Sequence, residues 1–422
     1  MEIHVVQTGE TLFRIAEQYG VSVQSVVQVN QLSSASIVPN QSILIPTNRT
    51  SYVVMPGDTL LNIAKRYGLS LNTIRTLNPQ VSGNAIEIGS ILRFPEIVRS
   101  SITVLGFLEL TGTDQDRINV LSNAPYNTYI APFGYGMDQT GAILPANDQI
   151  ALQSIRQTRT NPAAVFSNWT GEGFNSSAVH AMLSSASMRA QYISEVMNVV
   201  TSQGYRAVVI DFENIPPGDS NIFEQFLSEL SARLLPSYRR LFVSVMPIRS
   251  ATDAANPLLR PYDYATLSEH AVHLILMAYN WHWATGEPGP IAAFHNVEST
   301  IQYALSVVPR VQVLLGVIRY GYDWVLPYDL NEAATVVSAQ DAIDIAMQQG
   351  SSIFFDTTSM SPSFRYVDQQ GAEHIVWFED VRSIQVKLQL VKKYNLPGIA
   401  QWEISQSFPQ FNPLIRNNFQ IV

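Results

Sequence analysis

Residues 207–214 read AVVIDFEN, four apolar residues followed at once by two acids, Asp211 and Glu213, around one aromatic. An apolar run of this length with no polar alternation describes a strand buried on both faces, as in a parallel sheet. Seven more such runs lie on either side of it: 102–107 (ITVLGF), 129–134 (YIAPFG), 163–168 (AAVFSN), 241–246 (LFVSVM), 272–279 (VHLILMAY), 312–318 (QVLLGVI) and 397–402 (PGIAQW). Helical stretches separate them. Eight strand–helix units over roughly 320 residues predict an α/β fold, a (β/α)8 barrel spanning 98–422, which typically needs about 250 residues and tolerates insertions. The surplus falls at 325–378, too long for one helix. It carries a helical piece from Ala339 to Gln348 and strand-like pieces at 353–356, 363–367 and 374–378, a small α/β insertion expected to wall a cleft. A doubly wound open sheet is the alternative, but no G-x-G-x-x-G follows the first strand.

In a barrel, chemistry sits at the C-terminal ends of the strands. Side chains alternate along a strand, so Asp211 and Glu213 share a side. Two carboxylates this close repel, and burial disfavours their ionisation, so one should keep a proton near neutral pH and donate it. The same residues would also suit a structural carboxylate pair bound to backbone amides. Other strand ends add polar and aromatic groups: Met277 and Tyr279 with Asn280 at strand six, Tyr320-Gly321-Tyr322-Asp323-Trp324 after strand seven, and Trp402 at strand eight. Aromatic faces stack on sugar rings, and an apolar floor with a few polar groups suits a glycan.

The N-terminal hundred residues are of another kind. Residues 5–22 (VVQTGETLFRIAEQYGVS) recur as 53–70 (VVMPGDTLLNIAKRYGLS), offset by 48 residues. In each unit a short strand precedes a Thr that can cap a helix, Thr11 or Thr59, and Leu12, Ile15, Ala16 and Tyr19 fall on one helical face. Gly20 stops that helix. A second short helix covers Val23 to Val29, and the unit closes on a strand and a proline. The expected order is βααβ, over residues 1–47 and 50–96, with Asn48-Arg49-Thr50 as linker.

Composition narrows the partners. The 422 residues are 46% hydrophobic and only 14% charged, the net charge is −9, and there are no cysteines. Clustered Lys and Arg are absent, so nucleic acid is not an expected partner. No run of about 18 apolar residues predicts a membrane span. The first residues lack a basic stretch followed by an apolar one, so no secretory signal peptide is expected. Disulfides and Cys-ligated metals are excluded. N-glycosylation patterns such as Asn48-Arg49-Thr50 and Asn168-Trp169-Thr170 read as chance matches. Oligomeric state is not legible.

The G-[ED]-T-L…I-A…Y-G pattern of the repeat resembles the LysM module, which binds N-acetylglucosamine polymers such as peptidoglycan and chitin. The resemblance puts the sugar groove at Gly9 to Leu12 with Asn30 to Ile37, and at Gly57 to Leu60 with Asn78 to Ile86. Its candidate glycan contacts are Gly9, Thr11, Leu12, Asn30, Gly57, Thr59, Leu60 and Asn78. From about residue 98 the chain resembles the family-18 glycoside hydrolases, through Asp211-Phe212-Glu213, Met277-x-Tyr279, the Tyr320 to Trp324 stretch and Trp402. Tandem LysM units in front are similar to the spore cortex-lytic N-acetylglucosaminidases of bacilli.

That resemblance implies a retaining glycosidase, with no metal and no cofactor. Glu213 is the implied acid, Asp211 holds the substrate's 2-acetamido group, and Tyr279 bonds its oxygen. Met277, Asn280, Trp402, Tyr320, Asp323 and Phe133 contact substrate. An endo-chitinase and a non-catalytic chitinase-like lectin are the alternatives. Peptidoglycan is the implied partner and the spore the implied location. The family's strand-four motif, D-x-x-D-x-D-x-E, is incomplete here: Arg206 and Val209 stand where acids are usual, and Asn280 where an acid follows the strand-six Tyr.

Overall fold

The computed structural model describes residues 1–32, 34–47, 50–81, 86–96 and 98–422. Eight parallel strands close into a barrel: strand one Ser101–Glu109, two Tyr129–Tyr135, three Asn161–Ser167, four Ala207–Asp211, five Arg240–Val245, six His273–Leu276, seven Val313–Ile318 and eight Gly398–Trp402. Closure comes from strand eight pairing strand one, Gly398 with Thr103 through Gln401 with Gly106. Every apolar run found in the sequence is one of these strands. The alternation within strand four shows why the runs are continuous. Ala207 and Val209 join a packed barrel interior with Leu105, Phe107, Phe242 and Ile275. Val208 and Ile210 face outward into the larger core beneath the helices. Both faces are dry, so neither can alternate with polar residues.

The extra residues between strands seven and eight form a five-stranded antiparallel sheet, in the order Thr335–Ser338, Tyr320–Leu326, Glu373–Trp377, Ser361–Val367, Phe354–Asp356. One helix, Ala339–Gln348, packs on it, capped by a reciprocal Ser338–Asp341 box. The sheet begins at Tyr320 rather than near 325. Only Arg319 separates it from strand seven, so apolar strand character runs on unbroken in the sequence.

Each N-terminal module is βααβ. In module one Glu2–Val5 pairs antiparallel with Ser42–Ile45 around helices Leu12–Tyr19 and Val23–Asn30. In module two Ser51–Val53 pairs with Ile91–Arg93 around Leu60–Tyr67 and Leu71–Leu77. Thr11 and Thr59 cap the first helices through their hydroxyls, and Gly20 and Gly68 end them at φ +65° and +62°, where only glycine is unstrained. The linker residues Asn48 and Arg49, and 82–85 of the second groove loop, lie outside the described residues.

Candidate active site

Strand four ends at Asp211, which is buried; Glu213 follows on the loop and is half-buried. The residue between them fixes their aim. Phe212 points away from the barrel axis, its ring 5.7 Å from Phe226 and 6.1 Å from Phe223 beneath helix Ser220–Leu234. Burying such a ring contributes about 2–3 kcal/mol, and an outward Phe212 turns both flanking carboxylates inward. Two neighbours then clamp the loop. The Asn168 amide, fully buried at the end of strand three, donates from Nδ2 to the Glu213 carbonyl at 2.7 Å. Its Oδ1 accepts from the Glu213 N–H at 2.8 Å. Tyr262, beyond strand five, donates its hydroxyl to the Phe212 carbonyl at 3.0 Å. Asn214 completes the turn in the left-handed region, φ +55°.

The two acids differ electrostatically. Burial pushes Glu213 up from 4.5 to about 8, and the neighbouring Asp211 charge pushes the same way. Burial raises Asp211 from 3.8 to about 6, partly offset by the Ser244 hydroxyl of strand five. That hydroxyl acts from beyond hydrogen-bond geometry, since Oγ has no bonded partner. Burial and mutual repulsion thus favour a single proton on the pair near neutral pH, with Glu213 the more strongly raised of the two. The Tyr279 phenol is pushed well above its ordinary value, first by burial and then by Asp211, Glu213 and Tyr322. It remains protonated, a hydrogen-bond donor close enough to feel the charge of both acids.

Trp402 forms part of the floor. Its ring meets Phe107 at 5.4 Å and Phe133 at 5.2 Å, both edge-on, so Phe133 supports the indole from strand two. Met277 is nearly buried at the end of strand six. Asn280, at φ +59°, accepts at Oδ1 from the Tyr320 hydroxyl at 2.8 Å and the Tyr322 hydroxyl at 3.4 Å. Tyr320 thus braces Asn280 from the insertion sheet. Asp323 belongs elsewhere. It lies on the opposite face of its strand from Tyr322, with Tyr366 at 2.6 Å and the His374 Nδ1 at 2.9 Å as its partners. The structure does not bring it to the carboxylate pair.

Four of the expected module contacts also require correction. Leu12 and Leu60 are core residues, 2% and 1% exposed. Asn30 and Asn78 are fully buried and consumed by backbone. Asn30 bonds Val26 and both polar groups of Leu44; Asn78 bonds Ile74 and both of Arg93. Each stitches its second helix to its last strand. Gly9 and Gly57 make the turns, at φ +82° and +85°, and with Thr11 and Thr59 remain at the surface.

Reading the sequence missed Asn168 and Tyr262, whose partners are backbone atoms of another strand end. It also missed Glu109, inward at the end of strand one, whose amide donates to the buried Glu403 at 3.3 Å. The only signal for Asn168 was its place at a strand end. Its complete burial rules it out as a surface glycosylation site. Among the described residues no cluster of three His, Asp or Glu is arranged to hold a metal.

Comparison with known proteins agrees with this architecture. Residues 104–407 match the glycosyl hydrolases family 18, and residues 4–46 and 52–95 each match the LysM domain. A cortical fragment-lytic enzyme of Bacillus subtilis is 34% identical over 429 residues, covering all of this chain and 99% of that protein. Its counterpart in Bacillus anthracis is 30% identical with the same coverage. The crystal structure of the spore cortex-lytic enzyme SleL of Bacillus megaterium superposes with a TM-score of 0.88 at 29% identity, over all of this chain and 98% of that one. A match of this extent, over a closed barrel with its acids at the end of strand four, places the chain among the glycoside hydrolases: it is a member of the glycosyl hydrolases family 18 carrying two LysM modules.

Proposed function

We propose that this enzyme hydrolyses the β-1,4 bond at N-acetylglucosamine in spore cortex peptidoglycan, with retention of configuration, during germination. The observation that carries the reading is the pair of acids turned inward at the end of strand four, Asp211 buried and Glu213 half-buried, with both raised by burial and Glu213 the more so, and with the Tyr279 phenol near enough to feel both charges. In this mechanism Glu213 gives its proton to the glycosidic oxygen as the bond to the anomeric carbon breaks. The substrate's acetamido oxygen closes on that carbon, forming an oxazolinium ion. Asp211 accepts the acetamido N–H and offsets the positive charge, while Tyr279 donates to the acetamido oxygen. Water then attacks the anomeric carbon and loses its proton to Glu213, which resets the pair. This substrate-assisted route differs from the usual two-carboxylate scheme. Trp402 floors the reacting sugar.

The division into residues 1–47, 50–96 and 98–422, with the insertion as a cleft wall, is part of the same proposal. So are peptidoglycan as the ligand of the modules and the spore as the place of action. Full-length similarity to cortical fragment-lytic enzymes supports the substrate. The test is mass spectrometry of digests of spore peptidoglycan. Reducing-end N-acetylglucosamine is the expected product, and reducing-end muramic acid would refute the bond assignment. Undiminished digestion by Glu213→Gln would refute the acid.

A further inference from the structure

The two modules are twins in fold but not in surroundings. The paired asparagines give the alignment: Asn30 clamps Leu44 and Asn78 clamps Arg93, so these residues are equivalent, and Ser42 is equivalent to Ile91. In module one the strand Ser42–Ile45 is buried throughout. Ile43 and Ile45 fill the module's own core, whereas Leu44, fully buried, belongs to the core of the barrel. In module two the outward residues of that strand, Ile91 and Arg93, are exposed.

Among the described residues, module one is joined to the catalytic body by further contacts besides Leu44. The Ser42 hydroxyl donates to Asp380 Oδ2 at 2.8 Å, the carboxylate that caps helix Val381–Lys393. The Met1 amino group donates to Asn417 Oδ1 at 2.9 Å, on helix Phe411–Asn418. The Pro39 carbonyl accepts from the Ile353 N–H of the insertion at 3.1 Å. Val38 packs into the insertion core with Val337, Ile343 and Ile353. These contacts span the side of the barrel and the insertion sheet. Gly9 and Thr11 stay exposed on the module, so docking leaves that turn accessible.

We infer that module one is a fixed part of the catalytic body, holding a polymeric N-acetylglucosamine-containing glycan at one constant offset from the Asp211–Glu213 cleft. This rests on the proposed function for the identity of the glycan and of the cleft. A rigid second grip raises the local concentration of a chain long enough to reach both sites and does nothing for a short oligomer. Avidity of this kind disappears when the geometry between grip and cleft is lost.

The test transplants the residue of module two into module one, Leu44→Arg, in the full chain. Hydrogen exchange of the parent should protect the Ser42–Ile45 amides as strongly as the barrel strands. In the variant that protection should fall, and kcat/KM on insoluble peptidoglycan should drop about tenfold or more. Hydrolysis of a chitin trimer should be unchanged. Ser42→Ala, which keeps the apolar packing, should give a smaller drop in the same direction and serves if Leu44→Arg does not fold. Module-one amides in the parent that open independently of the barrel would overturn the inference. So would unchanged polymer rates in a variant whose exchange shows undocking. A parent inert on both substrates would instead refute the proposed function, while the exchange result would still judge the docking.

Discussion

Replacing Glu213 by Gln should abolish activity and yet stabilise the protein, in a manner set by pH. A carboxyl that titrates at 4.5 when unfolded and about 8 when folded binds its proton more tightly in the native state. Its contribution is fully present below pH 4.5 and is lost as pH rises through the interval to about 8, at a slope of at most about 1.4 kcal/mol per pH step. The whole interval sets an upper bound of about 5 kcal/mol, and partial exposure together with relief by its coupled partner leaves roughly 2–3 kcal/mol at pH 8.5. Gln keeps the shape and carries no charge at any pH. At pH 4.5 the parent's Glu213 is also neutral, so the two proteins should melt together. At pH 8.5 the variant should melt higher, by about 3–5 °C for a body of this size. Scanning calorimetry across pH 4.5–8.5 reads this directly. A melting difference that does not change with pH, or a parent that is the more stable at pH 8.5, would refute the electrostatic account of the pair.

Three further outcomes follow from the site and its supports. The kcat/KM profile should be bell-shaped, rising as Asp211 ionises near 6 and falling as Glu213 deprotonates near 8; Asp211→Asn should move the falling limb to lower pH by removing the adjacent charge, with burial holding it above 4.5. Asn168→Ala removes both bonds to the Glu213 backbone, so kcat should fall at least tenfold with KM little changed, and stability should drop by about 2–3 kcal/mol; a shift in KM alone would argue against a positioning role. Lys387→Met strands the fully buried Glu379 carboxylate that Lys387 meets at 2.8 Å, and denaturant titration should show a loss of about 3–5 kcal/mol.

What the sequence discloses depends on where each residue finds its partners. Barrel strands were legible because burial on both faces leaves an uninterrupted apolar run, and AVVIDFEN ends where the chain leaves the barrel. The start of the insertion was not, because the chain passes from one strand into the next across Arg319 alone. Asn30 and Asn78 stand at helix ends, where polar residues ordinarily meet water. That they are buried is decided by strand carbonyls and amides some fourteen or fifteen residues on. Asn168 is the extreme case, since the N–H and carbonyl it clamps belong to Glu213, 45 residues away on the loop after the neighbouring strand. Asp323 shows the reverse. Its sequence neighbours point to the cleft, while the pleat turns it to the other face.

Val209, directly beneath Asp211 on the inward side of strand four, is fully buried in the apolar interior with Ala207 below it. A hydrocarbon column conducts no protons, so strand four offers the pair no back door: exchange with bulk water runs through the mouth of the cleft. In the proposed mechanism a glycan chain lying over Trp402 narrows that route to the water that attacks the intermediate. The proton count on Asp211 and Glu213 is then set at the moment of binding, and each turnover restores it, Glu213 giving its proton to the departing sugar and regaining one from the attacking water. Acidity of the medium thus acts as an admission condition, selecting which enzyme molecules accept substrate, and its imprint falls on kcat/KM while kcat stays nearly level across the same range.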